Sequence, residues 1–113
     1  MKFTIEFYET LAGQSIVEQE LEALEHTNSV LYDLLVAGMN KLRQREYHRP
    51  PLCESLGGGL FELRVGRKDI ARAAWFFRTG QRIVVHCFVK KSQKTPPNDL
   101  ALARKRMAEY LSR

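Results

Sequence analysis

The stretch Arg82–Pro97, RIVVHCFVKKSQKTPP, decides the fold. Ile83, Val84, Val85, Phe88 and Val89 carry the β-branched and aromatic side chains that suit a pleated, half-buried surface. The run then changes character. Lys90, Lys91 and Lys94 crowd into five positions, and Pro96 and Pro97 cannot continue a strand. A buried strand that delivers cations to its own end holds charge on a rigid platform.

Reading upstream from this strand, Thr79-Gly80 marks a turn and Ile70–Phe77 a further strand, with Arg72 among apolar neighbours. Gly66-Arg67-Lys68-Asp69 is a second turn, and before it Phe61, Leu63 and Val65 alternate with Glu62 and Arg64. Three strands joined by tight turns predict an antiparallel meander. At the other end of the chain, Phe3, Ile5 and Phe7 alternate with polar residues, so Lys2–Tyr8 predicts a first strand.

Ser15 and Glu18 have the spacing of a capping box. They open a helix with Val17, Leu21 and Leu24 on one stripe, and Glu18, Glu20, Glu22 and Glu25 as its solvated face. Thr27, Asn28 and Ser29 offer N-caps for a second helix, in which Leu31, Leu34, Leu35, Gly38 and Leu42 keep helical spacing to about Arg45. Gly38 weakens that helix unless two elements approach closely there. The short break between the two predicts a helical hairpin. Pro50-Pro51 and Gly57-Gly58-Gly59 mark Glu46–Gly59 as a loop, with Tyr47, His48 and Arg49 on its polar edge. Asn98 caps a last helix with the stripe Leu100, Ala103, Met107, Tyr110 and Leu111, while Arg104, Lys105 and Arg106 point mostly outward.

The expected fold is α+β, in the order β-α-α-β-β-β-α: one small twisted antiparallel sheet, an N-terminal helical hairpin and a C-terminal helix. Helices should cover one face of the sheet. The other, partly open face should carry Glu62, Arg64 and Arg72. The 113 residues suffice for one core, so residues 1–113 read as a single domain.

Composition narrows the function. With 44% hydrophobic and 27% charged residues and no apolar run near the ~20 residues of a membrane helix, the chain reads as a cytoplasmic protein with no membrane partner. The alternating N-terminus is unlike a signal peptide. Cys53 and Cys87 form no CxxC pair and read as free thiols. The net charge of +5 conceals an asymmetry: residues 1–59 hold 5 Lys+Arg against 9 Asp+Glu, and residues 60–113 hold 13 against 4. A basic second half points to a polyanionic partner, nucleic acid first and an acidic protein second.

Arg64 and Arg72 fall in neighbouring strands, close to the Lys90–Lys94 exit. If they converge without carboxylate partners, the group suits phosphate: arginine binds it bidentately and lysine supplies a compact charge. The alternative is that Arg64 or Arg72 pairs with Glu62 or Asp69. His86 lies mid-strand, as a satisfied core histidine does, and Phe88 is placed either to pack or to stack on a base. No metal-ligand constellation is legible.

GGGLFELR (57–64), the arginine-bearing strand after it, FVKKSQKTP (88–96) and a closing helix with Ala103 and Tyr110 together resemble the phage-derived Gp49/HigB group of the RelE/ParE toxin superfamily. The resemblance spans nearly the whole chain. It implies a small sheet packed against a helical hairpin. It also implies a type II toxin: a ribosome-dependent, metal-independent endoribonuclease that cuts messenger RNA, needs no cofactor and is neutralised by a helix-turn-helix antitoxin. Carried onto this sequence, Arg64, Arg72, Lys90, Lys91 and Lys94 form the catalytic, phosphate-handling group, with Lys90 or Lys91 as general base. Arg67, Lys68 and Phe88 would bind RNA. Several members of the superfamily use a late histidine or tyrosine. Here no histidine follows His86, and Tyr110 lies on an apolar stripe. Two rivals share the composition: a ParE-like gyrase inhibitor, and a non-catalytic, phage-derived nucleic-acid-binding module.

Overall fold

A computed structural model describes residues 2–113. Strand β1 (Thr4–Phe7) leads into helices α1 (Ile16–Thr27) and α2 (Ser29–Lys41). A 3₁₀ turn (Arg45–Tyr47) precedes β2 (Cys53–Gly57), β3 (Leu60–Gly66), β4 (Ile70–Arg78) and β5 (Gln81–Lys90), and α3 (Pro97–Leu111) closes the chain. The five strands form one sheet in the order β1-β5-β4-β3-β2. Among the described residues no helix is long and apolar enough to cross a membrane.

Two features differ from the expected sheet. Part of the Glu46–Gly59 loop is strand β2, which pairs antiparallel with β3 at the sheet's edge. And β1 runs parallel to β5, with Thr4 opposite Gln81 and Phe7 opposite Val84, so the sheet is mixed. The meander β3–β4–β5 is antiparallel throughout, with a bulge where Val85 falls between the pairs Ala74–His86 and Trp75–Val84.

One helix start agrees with the sequence and two differ. Asn28 caps α2, its side chain accepting from the Leu31 amide at 3.1 Å. Ser15 makes no side-chain cap bond, so the capping box does not form. At α3 the cap position is Pro96, with Pro97 in the first turn and no side-chain cap from Asn98. Proline suits that position because its missing N–H would have no partner there.

Direct cross-strand partners share a face. One face therefore carries Glu62, Ala74 and His86 in one row and Arg64, Arg72 and Phe88 in the next. α3 lies on this face, where the Tyr110 ring meets Phe76 edge-on at 5.5 Å. The opposite face carries Leu63, Ala73 and Cys87 and packs on α2. The close approach that Gly38 requires is present: a Cβ there would stand 3.2 Å from both Leu63 Cδ2 and Val65 Cγ1. Trp75, Leu35, Leu42, Leu60, Leu63 and Ile83 fill the core, all with their side chains fully buried. Cys53 and Cys87 are buried free thiols, and burial pushes the Cys53 thiol up to about 11.

Candidate functional site

Chain geometry gathers the basic residues at one end of the sheet. The register opposes Gly66 to Ile70 and Ile70 to Lys90, so the β3–β4 turn and the end of β5 lie side by side. That turn carries Arg67 and Lys68, both exposed. Lys90, Lys91 and Lys94 are exposed as well, and among the described residues none of these five cations has a carboxylate within ion-pair distance.

Behind this rim the structure departs from an unpartnered cluster. Arg64 and Arg72 are direct cross-strand partners, and like charges so placed need a counter-charge. Glu62 supplies it. Its carboxylate is fully buried, accepts from Arg64 Nε at 2.5 Å and lies 3.9 Å from Arg72 Nη1. The Thr95 hydroxyl donates to the other oxygen at 2.9 Å. Arg64 also reaches Glu54 on β2 at 3.5 Å. Arg72 is fully buried, and its Nη2 donates to the Ser92 carbonyl. Burial lowers the Arg72 pKa, and Glu62 works against that shift.

The face expected to be partly open is thus closed by the chain that leaves β5. Ser92 and Thr95 flank Lys94, and each is tied to the charged row beneath it. Arg64 keeps a partly exposed side chain at the edge of the rim. Arg72 lies under the exit loop and fixes its path. Phe88 is half-buried, stacked on His86 at 4.7 Å and 6.0 Å from the Arg72 guanidinium, so its ring packs against its own neighbours.

A second polar cluster adjoins the first. His86 Nδ1 bonds Glu20 Oε2 and its Nε2 bonds Asp99 Oδ1, both at 2.8 Å. Burial lowers the His86 pKa, but the bonds to Glu20 and Asp99 outweigh it and the net shift is upward. Burial raises the Glu20 pKa, yet His86, the Cys87 amide and Arg106 together bring it below the ordinary value. The Arg106 guanidinium donates to Glu20 and to the Val85 carbonyl, both at 2.9 Å. The reason is topological. β1 stops opposite Val84, leaving the outer edge of β5 without a strand beyond it. Glu20 accepts from the Cys87 amide at 2.9 Å and Arg106 donates to Val85, so two side chains complete the ladder.

Sequence reasoning put Glu20 on a solvated face and Arg106 outward. Both are corrected here, and a signal was present. Glu20 lies three residues after Val17 and four before Leu24; Arg106 lies three after Ala103 and four before Tyr110. Each shares helical spacing with its apolar stripe. Glu20 and Asp99 take opposite nitrogens of one ring, so the three donors do not converge, and no group of described residues is arranged to hold a metal ion.

The family model for phage derived protein Gp49-like (DUF891) matches residues 19–108. The chain belongs to this Gp49-like family. It therefore falls in the Gp49/HigB-like group of the RelE superfamily. No curated protein matches the chain. The Gp49-like match covers both polar clusters, the meander and most of α3, so the family pattern and the basic rim occupy the same stretch of chain.

Proposed function

We propose that this Gp49-like protein is the toxin of a type II toxin–antitoxin pair and acts as a ribosome-dependent endoribonuclease on messenger RNA. Family membership is compatible with a toxin. The observation that carries the activity is the basic rim: Arg67, Lys68, Lys90, Lys91 and Lys94 stand exposed and, among the described residues, unpaired, at one end of a sheet whose charged interior is neutralised. Such a surface suits a phosphodiester track.

The ribose 2′-hydroxyl attacks the adjacent phosphorus, and the bond to the 5′-oxygen of the next nucleotide breaks. A cyclic 2′,3′-phosphate and a 5′-hydroxyl result. Lys90 or Lys91 takes the hydroxyl proton, and a neighbouring lysine returns one to the departing oxygen. Arg64 and the remaining lysines stabilise the negative charge that builds on the phosphoryl oxygens. Arg72 acts through the loop it holds and is a positioning residue. No metal or cofactor enters this scheme. A helix-turn-helix antitoxin is the partner that would restrain it.

The test incubates the protein with translating ribosomes and maps cuts in the message. The expected result is discrete cleavage, lost on Lys90→Ala/Lys91→Ala with the fold intact. Gyrase inhibition without cleavage would replace this reading with the ParE-like one. Neither activity, with nucleic-acid binding retained, would leave a binding module.

A further inference from the structure

The opposite end of the sheet holds a second set of cations that the rim does not use. Two shallow clefts meet at Arg82. One, of about 640 Å³, is lined by Arg45, Glu46, His48, Arg49, Phe77 and Arg82. The other shares Arg45, Phe77 and Arg82 and adds Arg78. Arg82 is 3% exposed, and its Nε is buried without a hydrogen-bond partner among the described residues. Its guanidinium carbon lies 3.7 Å from the centre of the Phe3 ring and 4.1 Å from that of Phe77. Nη1 donates to the Gln81 carbonyl at 2.8 Å.

The aromatic contacts account for much of this burial and attract the cation, but they carry no counter-charge. A buried cation is costly unless it is paired. Among the described residues no carboxylate stands within 4.0 Å of Arg45, Arg49, Arg78 or Arg82. Glu46 is the one acid lining the clefts, against four arginines. Burial lowers the Arg82 pKa and Arg45 lowers it further. The two ring faces, the Gln81 carbonyl and Glu46 offset part of the positive charge collected here, but among the described residues no carboxylate pairs with it.

His48 adds an independent sign. Its Nε2 lies 2.6 Å from the Leu42 carbonyl, which can only accept, so Nε2 carries the hydrogen. Nδ1 is then a bare acceptor in the neutral ring, buried with no partner among the described residues. Burial holds the His48 pKa below its ordinary value, and Arg82 and Arg45 reinforce the shift. A dianion bound among these groups would reverse that effect and favour the imidazolium.

We propose that this cleft is a second binding site for the phosphate of a nucleotide, held by Arg45, Arg49 and Arg82, with Phe77 beside it as a stacking surface for the base. Guanidiniums match phosphate oxygens in pairs, and an exposed ring accepts any base. Phe77 is 43% exposed and lines both clefts. The site is separate from the Lys90 rim and stands or falls independently of the nuclease reading.

Trp75 is the single tryptophan, 4.9 Å from the His48 ring and 5.1 Å from Phe77. Its fluorescence is a built-in reporter. The full chain is titrated with inorganic phosphate, with adenosine 5′-monophosphate, and with a short single-stranded RNA lacking a terminal phosphate. Saturable change with the monophosphate is expected. A tighter response to the RNA than to the monophosphate assigns the site to a phosphodiester, and the reverse assigns it to a free nucleotide. Arg45→Ala/Arg49→Ala changes only exposed side chains and should weaken binding at least tenfold, whereas Lys90→Ala/Lys91→Ala should leave the response to the monophosphate unchanged. Phe77→Ala should reduce the preference for the nucleotide over inorganic phosphate. Unaltered affinity in Arg45→Ala/Arg49→Ala, or no saturable response to any of the three ligands, would overturn the proposal.

Discussion

Arg64 and Arg72 face each other across the β3–β4 ladder and lean on the same buried carboxylate, Glu62. The pair would repel without it. With it, a neutralised base is left under an exposed rim of lysines, and the bonds from Thr95 and Arg72 hold the exit loop to that base.

Removing Glu62 should therefore be costly. Glu62→Gln leaves two arginines, one of them fully buried, without their shared counter-charge. Breaking a buried ion pair in this way costs about 3–5 kcal/mol. Urea denaturation should show a midpoint lowered accordingly. A variant as stable as the parent would mean that Glu54 and solvent suffice for both guanidiniums.

Thr95→Val keeps the shape of the side chain and removes one hydrogen bond to Glu62. A loss of about 1–3 kcal/mol is expected, since the carboxylate oxygen loses its hydroxyl partner. RNA cleavage should fall with it, because the tie beside Lys94 is cut. Stability and cleavage measured on the same preparation check the coupling. Lost stability with full cleavage would separate the loop from the activity.

Gly66 sets the turn that brings Arg67 and Lys68 beside Lys90. Its φ is +103°, and a Cβ would lie 2.4 Å from the Asp69 carbonyl oxygen. Gly66→Ala should destabilise by roughly 1–3 kcal/mol through strain alone, and by more from the clash. Thermal unfolding reads the effect. Gly80→Ala, at φ +71° with nothing within 4 Å, isolates the strain and should cost less.

The buried His86 and the half-buried His48 give opposite pH dependence. His86 has a raised folded pKa, so its contribution is complete below the unfolded value near 6.5 and is lost as pH rises through the folded value. Glu20 and Asp99 face it as acids and Arg106 as a cation. His48 has a lowered folded pKa, so its contribution is present above the unfolded value and is lost as pH falls toward the folded one. Replacing His86 with Gln should therefore make stability fall more steeply on acidification between pH 8 and pH 5.5. Denaturation midpoints across that range test it, and a slope unchanged from the parent would show that His86 does not titrate there.

Much of the fold was legible because alternation and helical spacing are strong local signals. Phe61, Leu63 and Val65 identified β3, and Gly38 advertised a close helix–sheet approach that Leu63 and Val65 fill. β2 escaped because CESLG is an edge strand that turns mostly polar or small residues outward, so it leaves no alternation. The parallel pairing of β1 escaped because period two records which face a residue takes, never the direction of its neighbour. At the site, the gathering of cations near Lys90 was readable from spacing. Their sorting was not. Arg72 and Lys90 look alike on paper, and only Ser92 returning over the sheet makes one a buried prop and the other an open contact. Glu20 found its partners 66 and 86 residues further along the chain, at His86 and Arg106, which local pattern does not encode.

The parallel partnership of Thr4–Phe7 with Gln81–Val84 joins segments far apart in the chain. On the ribosome, β1 emerges long before its neighbour has been made, and α2 can settle on β3 and β4 before α1 has its strand. β1 and α1 must wait for β5, the same strand that carries the lysines. A nascent chain therefore has no basic platform until its framework closes, and the two arise in one late event.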